Sequence, residues 1–204
     1  GGGKTHSCTV QLIVQAPFDF SVSCSPSSRT VTAGDSTTYT ITVTLTSGTT
    51  QTVSLSCSGC PPASTCSFNP SSGNPTFSST LTVSTSTTTT EGTYPLTLTG
   101  TGGGKTHSCT VQLIVQAPFI VYLESAEDTG VTANLGNITF DDATYSLPNN
   151  VSKAAGTYGA RYNSASGYVF DHWEATGGVN VSSTTDNPTA VTVSGNGTLR
   201  TIYR

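Results

Sequence analysis

The sequence predicts an all-β chain: a two-sheet antiparallel sandwich, a second small β domain behind it, and one extra strand in front. Three observations predict it. Apolar and polar residues alternate in short runs broken by Gly, Pro, Asn and Ser turn signals roughly every ten residues, with no helical periodicity. Near residue 120 the composition changes: acidic residues appear, cysteine vanishes and aromatics rise. Finally, GGGKTHSCTVQLIVQAPF stands at residues 1 to 18 and again at 102 to 119, identical at every position.

The duplicated segment carries the central argument. Its apolar phase is Cys8, Val10, Leu12 and Val14 in the first copy and Cys109, Val111, Leu113 and Val115 in the second, which suits a half-buried strand. The second copy closes a run of alternating strands; the first has none before it. One sheet has one slot for such a strand, so residues 4 to 14 either pair elsewhere or leave their amides unpaired. Two readings follow. In one, residues 1 to 17 are the tail of a preceding domain in a tandem array of roughly 101-residue repeats. In the other, Val10, Leu12 and Val14 belong to a donor strand that docks on another molecule's sheet and builds a fibre. Both predict elongated assemblies whose partners are neighbouring copies or adjacent repeats.

The first full domain, residues 18 to 119, reads strand by strand. Phe18, Phe20, Val22 and Cys24 alternate with polar residues, and SPSSRTVTAGDS forms a kinked edge and a turn. Tyr39, Ile41, Val43 and Leu45 alternate with threonine at every intervening position, leaving a threonine face for water. Val53, Leu55 and Cys57 start the next strand. The loop GCPPAST follows, where two prolines bar a central strand. Cys66 and Phe68, then Phe77 to Val83, then Tyr94 to Leu98 continue the set, and residues 105 to 115 close it. Seven short strands in this pattern make a sandwich of immunoglobulin type.

FSVSCSPSSRTVTAGDSTTYTITVTLTSG, VSLSCSGCPPASTCSFNPSSG and EGTYPLTLTGTGGGKTHSCTVQLIV together resemble the bacterial and archaeal immunoglobulin-like repeats of secreted and surface proteins. The resemblance covers about half the chain. It implies a stalk or spacer module without catalytic residues, and a disulfide between Cys57 and Cys66. The shared inward phase of Cys24 and Cys109, on strands expected to be neighbours, makes them a second pair. Cys60 and Cys8 are left over, and a bridge between them would link repeats or molecules. A metal reading competes for CSGC with Cys66, and His6 or His107 two residues before a cysteine, but the second knuckle of a zinc ribbon is missing. No metal ligand is expected. Disulfides in an oxidising compartment are the reading.

The second domain, residues 120 to 204, has candidate strands at 120–123, 131–140, 157–162, 168–174, 189–193 and 198–203. GYVFDHWEATGG and NPTAVTVSGNGTLRTIYR resemble internalin B-repeat-like modules of surface proteins, which implies a small β-grasp-like or sandwich domain used as decoration or cap. Phe170 and Trp173 differ in strand parity, so burying both requires a bulge at Asp171 or His172. The junction QAPFIV is short and carries Pro118, so little bending is expected there.

Composition narrows function. Only 9% of residues are charged, and the net charge of −4 lies in the last 85 residues, which argues against nucleic acid and against an anionic membrane surface. No apolar run is long enough to cross a bilayer. With Gly at position 1 and no Met, the chain reads as a mature product or fragment of an extracellular protein.

The remaining motifs are weighed on their chemistry. GGGKT is not a phosphate loop, because Thr99 stands where the first glycine is required and no helix follows; a Gly-rich hairpin is expected. Asp171 and His172, adjacent on a strand, point to opposite faces and offer no acid-base pair. No active site and no cofactor are expected, save a possible structural Ca2+ at the acidic pairs Glu127-Asp128 and Asp141-Asp142. Asn137, Asn150, Asn180 and Asn196 head four N-glycosylation sequons, where about two would arise by chance. The leading expectation is a structural extracellular fibre or stalk protein, disulfide-stiffened, with a glycosylated terminal domain. The alternatives are an adhesin binding carbohydrate or protein through Tyr162, Tyr168 and Trp173, and an accessory segment of a secreted hydrolase.

Overall fold

The computed structural model describes residues 2–130 and 133–204. It contains two compact units, Gly1–Gln116 and Ala117–Arg204. The expected boundary after residue 119 falls a few residues late, because Phe119 opens the first strand of the second unit and packs against that unit's core.

Nine strands build the first unit: β1 (Asp19–Ser25), β2 (Ser28–Thr32), β3 (Ser36–Ser47), β4 (Val53–Ser58), β5 (Ser64–Asn69), β6 (Ser72–Gly73), β7 (Phe77–Thr85), β8 (Gly92–Gly102) and β9 (Lys105–Gln116). They form two sheets, ordered β1-β3-β7-β5 and β2-β9-β8-β4-β6. This is the immunoglobulin arrangement, with the first strand split between the sheets. The kinked edge foreseen over SPSSRTVTAGDS is that split. Pro26 and Ser27 separate β1 from β2, and β2 crosses to the other sheet and lies parallel to β9. The sandwich is therefore not wholly antiparallel.

Alternation sets the core. Tyr39, Ile41 and Val43 of β3 face Leu96, Leu98 and Leu113 across the sandwich, all buried, while Thr38, Thr40 and Thr44 see solvent. The tyrosine's hydroxyl is not stranded there, because it donates to the Gln112 carbonyl at 2.8 Å. The GGGKT segment makes the β8–β9 hairpin. Gly102 pairs with Lys105 across a two-residue turn in which Gly103 and Gly104 both have positive φ, 56° and 75°, as a type I′ turn requires. A Cβ at Gly103 would strike the Phe18 ring, so glycine is needed for packing as well.

The second unit contains β10 (Phe119–Glu127), β11 (Asn137–Phe140), β12 (Ala143–Ser146), β13 (Asn149–Lys153), β14 (Gly156–Asn163), β15 (Phe170–Val181) and β16 (Thr189–Tyr203). It is one mixed sheet, β12-β11-β14-β16-β10-β13 with β15 also on β16, rather than two packed antiparallel sheets. β16 organises it. Residues 189–193 pair with β14, residues 197–203 run parallel to β10, and β15 accompanies both stretches. Residues 189–193 and 198–203, read from the sequence as separate strands, are thus one.

The change of partner falls at Gly195 and Gly197, opposite Gly177 and Gly178, where β15 also shifts register. A Cβ at Gly178 would enter the Gly195 backbone, and one at Gly197 the Thr176 carbonyl, so the two strands approach here only because side chains are missing. A second shift, between Phe170 and His172, supplies the bulge that the parity of Phe170 and Trp173 requires. Trp173 is buried and Phe170 half-buried, with ring centroids 5.5 Å apart.

The strands β12 and β13 were not foreseen. Asp141 and Asp142 have φ of 50° and 61° and make a two-residue hairpin between β11 and β12. Of the stretch expected as a strand from Val131, only Asn137–Phe140 is one; Val131 and Thr132 lie outside the described residues. Among the described residues no helix is long and apolar enough to cross a membrane.

Candidate functional site: the unpaired strand and the cysteines

The two copies of the duplicated segment have opposite fates. In β9, Val111, Leu113 and Val115 are 1%, 0% and 2% exposed; in the first copy Val10, Leu12 and Val14 are 86%, 85% and 83% exposed. Residues 2–17 are exposed throughout and belong to no sheet. The reason is occupancy. β9 pairs antiparallel with β8 along nearly its whole length and parallel with β2 over residues 112–116, so the place beside β8 is filled and no second copy can enter this slot. Burying each of the three side chains as its counterpart is buried would contribute about 1.5–3 kcal/mol.

The end of the first copy does belong to this unit. The Ser47 hydroxyl donates to the Pro17 carbonyl at 2.8 Å, and Thr49 Oγ1 to Gln15 Oε1 at 3.1 Å. A Cβ on Gly48, whose φ is 73°, would collide with the backbone of residues 16–18. Phe18 is then buried in the first core, and Phe119, its counterpart, packs against the second. Both copies end alike, in a short QAP connection and a phenylalanine that enters the next core, but only the second is a strand before it.

Two further features tie β9 to the opposite sheet. Cys109 is bonded to Cys24 of β1, Cα atoms 6.0 Å apart. The two strands are not sheet neighbours as expected; β1 pairs with β3, and the bridge runs between the two sheets. His107 Nε2 meets Asp19 Oδ1 at 2.8 Å, and its ring stands edge-on to Phe20 at 4.9 Å. This hydrogen bond, followed by one from the Phe20 amide, holds the Asp19 carboxyl below its ordinary value. Cys8 and His6 are the equivalents in the unpaired copy, and Cys8 is an exposed free thiol.

The other cysteines correct the sequence reading. Cys66 is bonded to Cys60, not to Cys57. Cys57 is a half-buried thiol, raised above its ordinary value by burial, with its Sγ 3.5 Å from Cys60 Sγ. The expected link between Cys8 and Cys60 is thereby excluded in this state, since Cys60 is already paired. All three sulfurs of Cys57, Cys60 and Cys66 lie within 4.8 Å of one another. With two of them bonded, only Cys57 has a thiolate to offer a metal.

In the second unit, Asp171 and His172 do meet, against expectation. The bulge breaks the alternation, and His172 Nδ1 lies 2.7 Å from Asp171 Oδ2. The pair belongs to a line of basic and acidic side chains. Arg204 reaches Asp171 at 3.3 Å, His172 reaches Glu174 at 4.0 Å, and Arg200 meets Glu174 at 3.5 Å and Glu124 at 2.9 Å. Arg200 sits in register between Glu124 of β10 and Glu174 of β15. The sequence shows the charges but not the pairing that aligns them, so this line escaped the sequence reading.

Of the aromatic candidates for a carbohydrate platform, Tyr162 and Trp173 are core residues. The Tyr162 hydroxyl donates to the Leu135 carbonyl and the Trp173 indole to the Asp186 carbonyl, both at 2.9 Å, leaving Tyr168 as the exposed one. Of the acidic pairs, Asp141-Asp142 forms the β11–β12 turn with Asp141 bound to Lys153 Nζ. Asn150, Asn180 and Asn196 are exposed, the last accepting from the Ile120 amide; Asn137 is half-buried and accepts from Asn163 Nδ2.

No family model matches this chain, and no curated protein matches it. Among solved structures, domains 4 and 5 of the S-layer protein SbsC align with 46% of this chain and 50% of theirs at 21% identity, TM-score 0.35. A longer SbsC structure, residues 31–844, aligns with 90% of this chain at 18% identity, TM-score 0.38, and this chain spans 22% of it. Titin domains Z1Z2 in complex with telethonin align with 89% of this chain and 94% of theirs at 13% identity, TM-score 0.31. The chain thus spans half or less of the SbsC structures named. Scores of this size carry no functional argument.

Proposed function

We propose that the chain is a structural module of an extracellular stalk or fibre, in which residues 4–15 close a neighbouring immunoglobulin-like sandwich as β9 closes this one. The observation that carries this is the pair of identical segments, one buried between two strands and one fully exposed. A segment with strand alternation, four exposed large apolar side chains (Val10, Leu12, Ile13 and Val14) and no sheet of its own is suited to pairing, not to solvent. The neighbour is an upstream repeat in the tandem reading and a second copy in the donor-strand reading. The tandem reading is favoured, because the duplication extends past the strand through the connection to the core phenylalanine, which a donor strand alone does not need.

An extracellular setting is supported by two disulfides in a chain with few charges. Glycans on Asn150, Asn180 and Asn196 fit the same setting and would coat the second unit alone. The internalin-like resemblance of that unit fits a surface decoration. A carbohydrate-binding role draws less support, since Tyr162 and Trp173 are spent on the core.

The test restores the period. Residues 18–101 are placed ahead of residue 1 in one polypeptide, giving two full repeats before the second unit. The expected product has Cys8 bonded to the added copy of Cys24 and slow amide exchange over residues 4–15. A folded product in which Cys8 remains a free thiol contradicts the proposal.

A further inference from the structure

The loop joining β4 to β5 carries the chain from one sheet of the sandwich to the other, and it is tightly held. Gly59 has a φ of 91°, and a Cβ there would fall on the Pro95 carbonyl oxygen. The Ser64 hydroxyl donates to the Pro61 carbonyl at 2.6 Å, and the Ala63 carbonyl accepts from Thr89 Oγ1 at 2.7 Å and from the Ser86 amide at 3.1 Å. Within this frame three sulfurs converge: Cys57 at the end of β4, Cys60 in the loop and Cys66 in β5. All three pack against the edge of the core and are half-buried. Three sulfurs with one disulfide always leave one thiol beside a disulfide.

We propose that Cys57, Cys60 and Cys66 form a thiol–disulfide exchange site in which one bridge migrates among three sulfurs. The Cys57 thiolate attacks Cys60 Sγ, 3.5 Å away. A Cys57–Cys60 bond forms, the Cys60–Cys66 bond breaks, and Cys66 leaves as the thiolate and takes up the proton that Cys57 lost. Attack on Cys66 Sγ instead forms Cys57–Cys66 and releases Cys60. Neither step needs an oxidant or reductant, because a disulfide and a thiol stand on both sides.

The isomers differ in what they tie together. Cys60–Cys66 and Cys57–Cys60 each anchor the loop to one sheet, whereas Cys57–Cys66 joins β4 directly to β5, which lies in the other sheet. Migration therefore adds or removes a second covalent tie between the sheets, beside Cys24–Cys109. That the tie matters under load rests on the proposed structural role; the exchange itself does not, and residues 4–15 take no part in it.

The test is a map of the free thiol. The native chain is held at about pH 8.5, quenched in acid with a denaturant and a thiol-labelling reagent, and digested without reduction. One equivalent of label per cluster is expected, shared between Cys57 and at least one of Cys60 and Cys66, with complete label on Cys8 as the reference for full reaction. Label confined to Cys57, or absent from all three, overturns the proposal. Two variants close the argument. Cys57→Ser is expected to hold Cys60–Cys66 with no label in the cluster. Cys60→Ser is expected to hold Cys57–Cys66 and likewise no label. A folded Cys60→Ser chain that keeps Cys57 and Cys66 as two free thiols after air oxidation overturns it as well.

Discussion

Cys24 of β1 and Cys109 of β9 are bonded across the sandwich, tying the closing strand of one sheet to the opening strand of the other. The bridge spans 85 residues of sequence, so its loss frees much of the unit's unfolded chain. Cys24→Ser is expected to destabilise the first unit by about 2–5 kcal/mol, measured by denaturant unfolding. The second unit's transition should not move.

Asp19 and His107 join the same two strands. The carboxyl of Asp19 is held below its ordinary 3.8, first by the His107 hydrogen bond and then by the Phe20 amide. A carboxyl depressed in the folded state adds stability above its unfolded value and loses it as pH falls through the folded one. The first unit should therefore weaken as pH drops below about 4. In Asp19→Asn that dependence should flatten, as read by thermal melts across the acid range.

The line of charges around Arg200 makes a different claim. Arg200→Ala leaves Glu124 and Glu174 flanking an empty register position. Each pair is partly exposed, so the expected loss is about 1 kcal/mol, on the order of 4–8 °C in the second unit's melting temperature. The difference from the unaltered chain should shrink in high salt, because exposed charges are screened.

Seven strands of the first unit were legible because apolar and polar residues alternate along them; the two-residue β6, Ser72–Gly73, has no such pattern and was not read. Tyr39 to Leu45, with threonine at every other position, admits one reading. The sheet switch between β1 and β2 was visible as a kink around Pro26, but its parallel partner was not, since pairing depends on a strand more than eighty residues away.

Trp173 and Phe170 announced a bulge through their parity, yet the same bulge turned Asp171 and His172 toward each other, a consequence that periodicity alone denies. Cys24 and Cys109 paired as expected, but the partner of Cys66 was not the expected one, for a related reason. Cys57, Cys60 and Cys66 are all close enough to bond, so spacing cannot choose among them. In the second unit, residues 189–193 and 198–203 read as two strands, and Gly195 and Gly197 between them proved to be the point where one long strand changes partner.

The central claim concerns residues 4–15, and hydrogen exchange on the assembled protein from its natural source tests it most directly. The copies are identical over 18 residues, so only peptides running past residue 18 or past residue 119 tell them apart. The account predicts that amides of residues 4–15 exchange as slowly as those of 105–116. Exchange of residues 4–15 at the rate of an unstructured chain, with 105–116 protected, would contradict it.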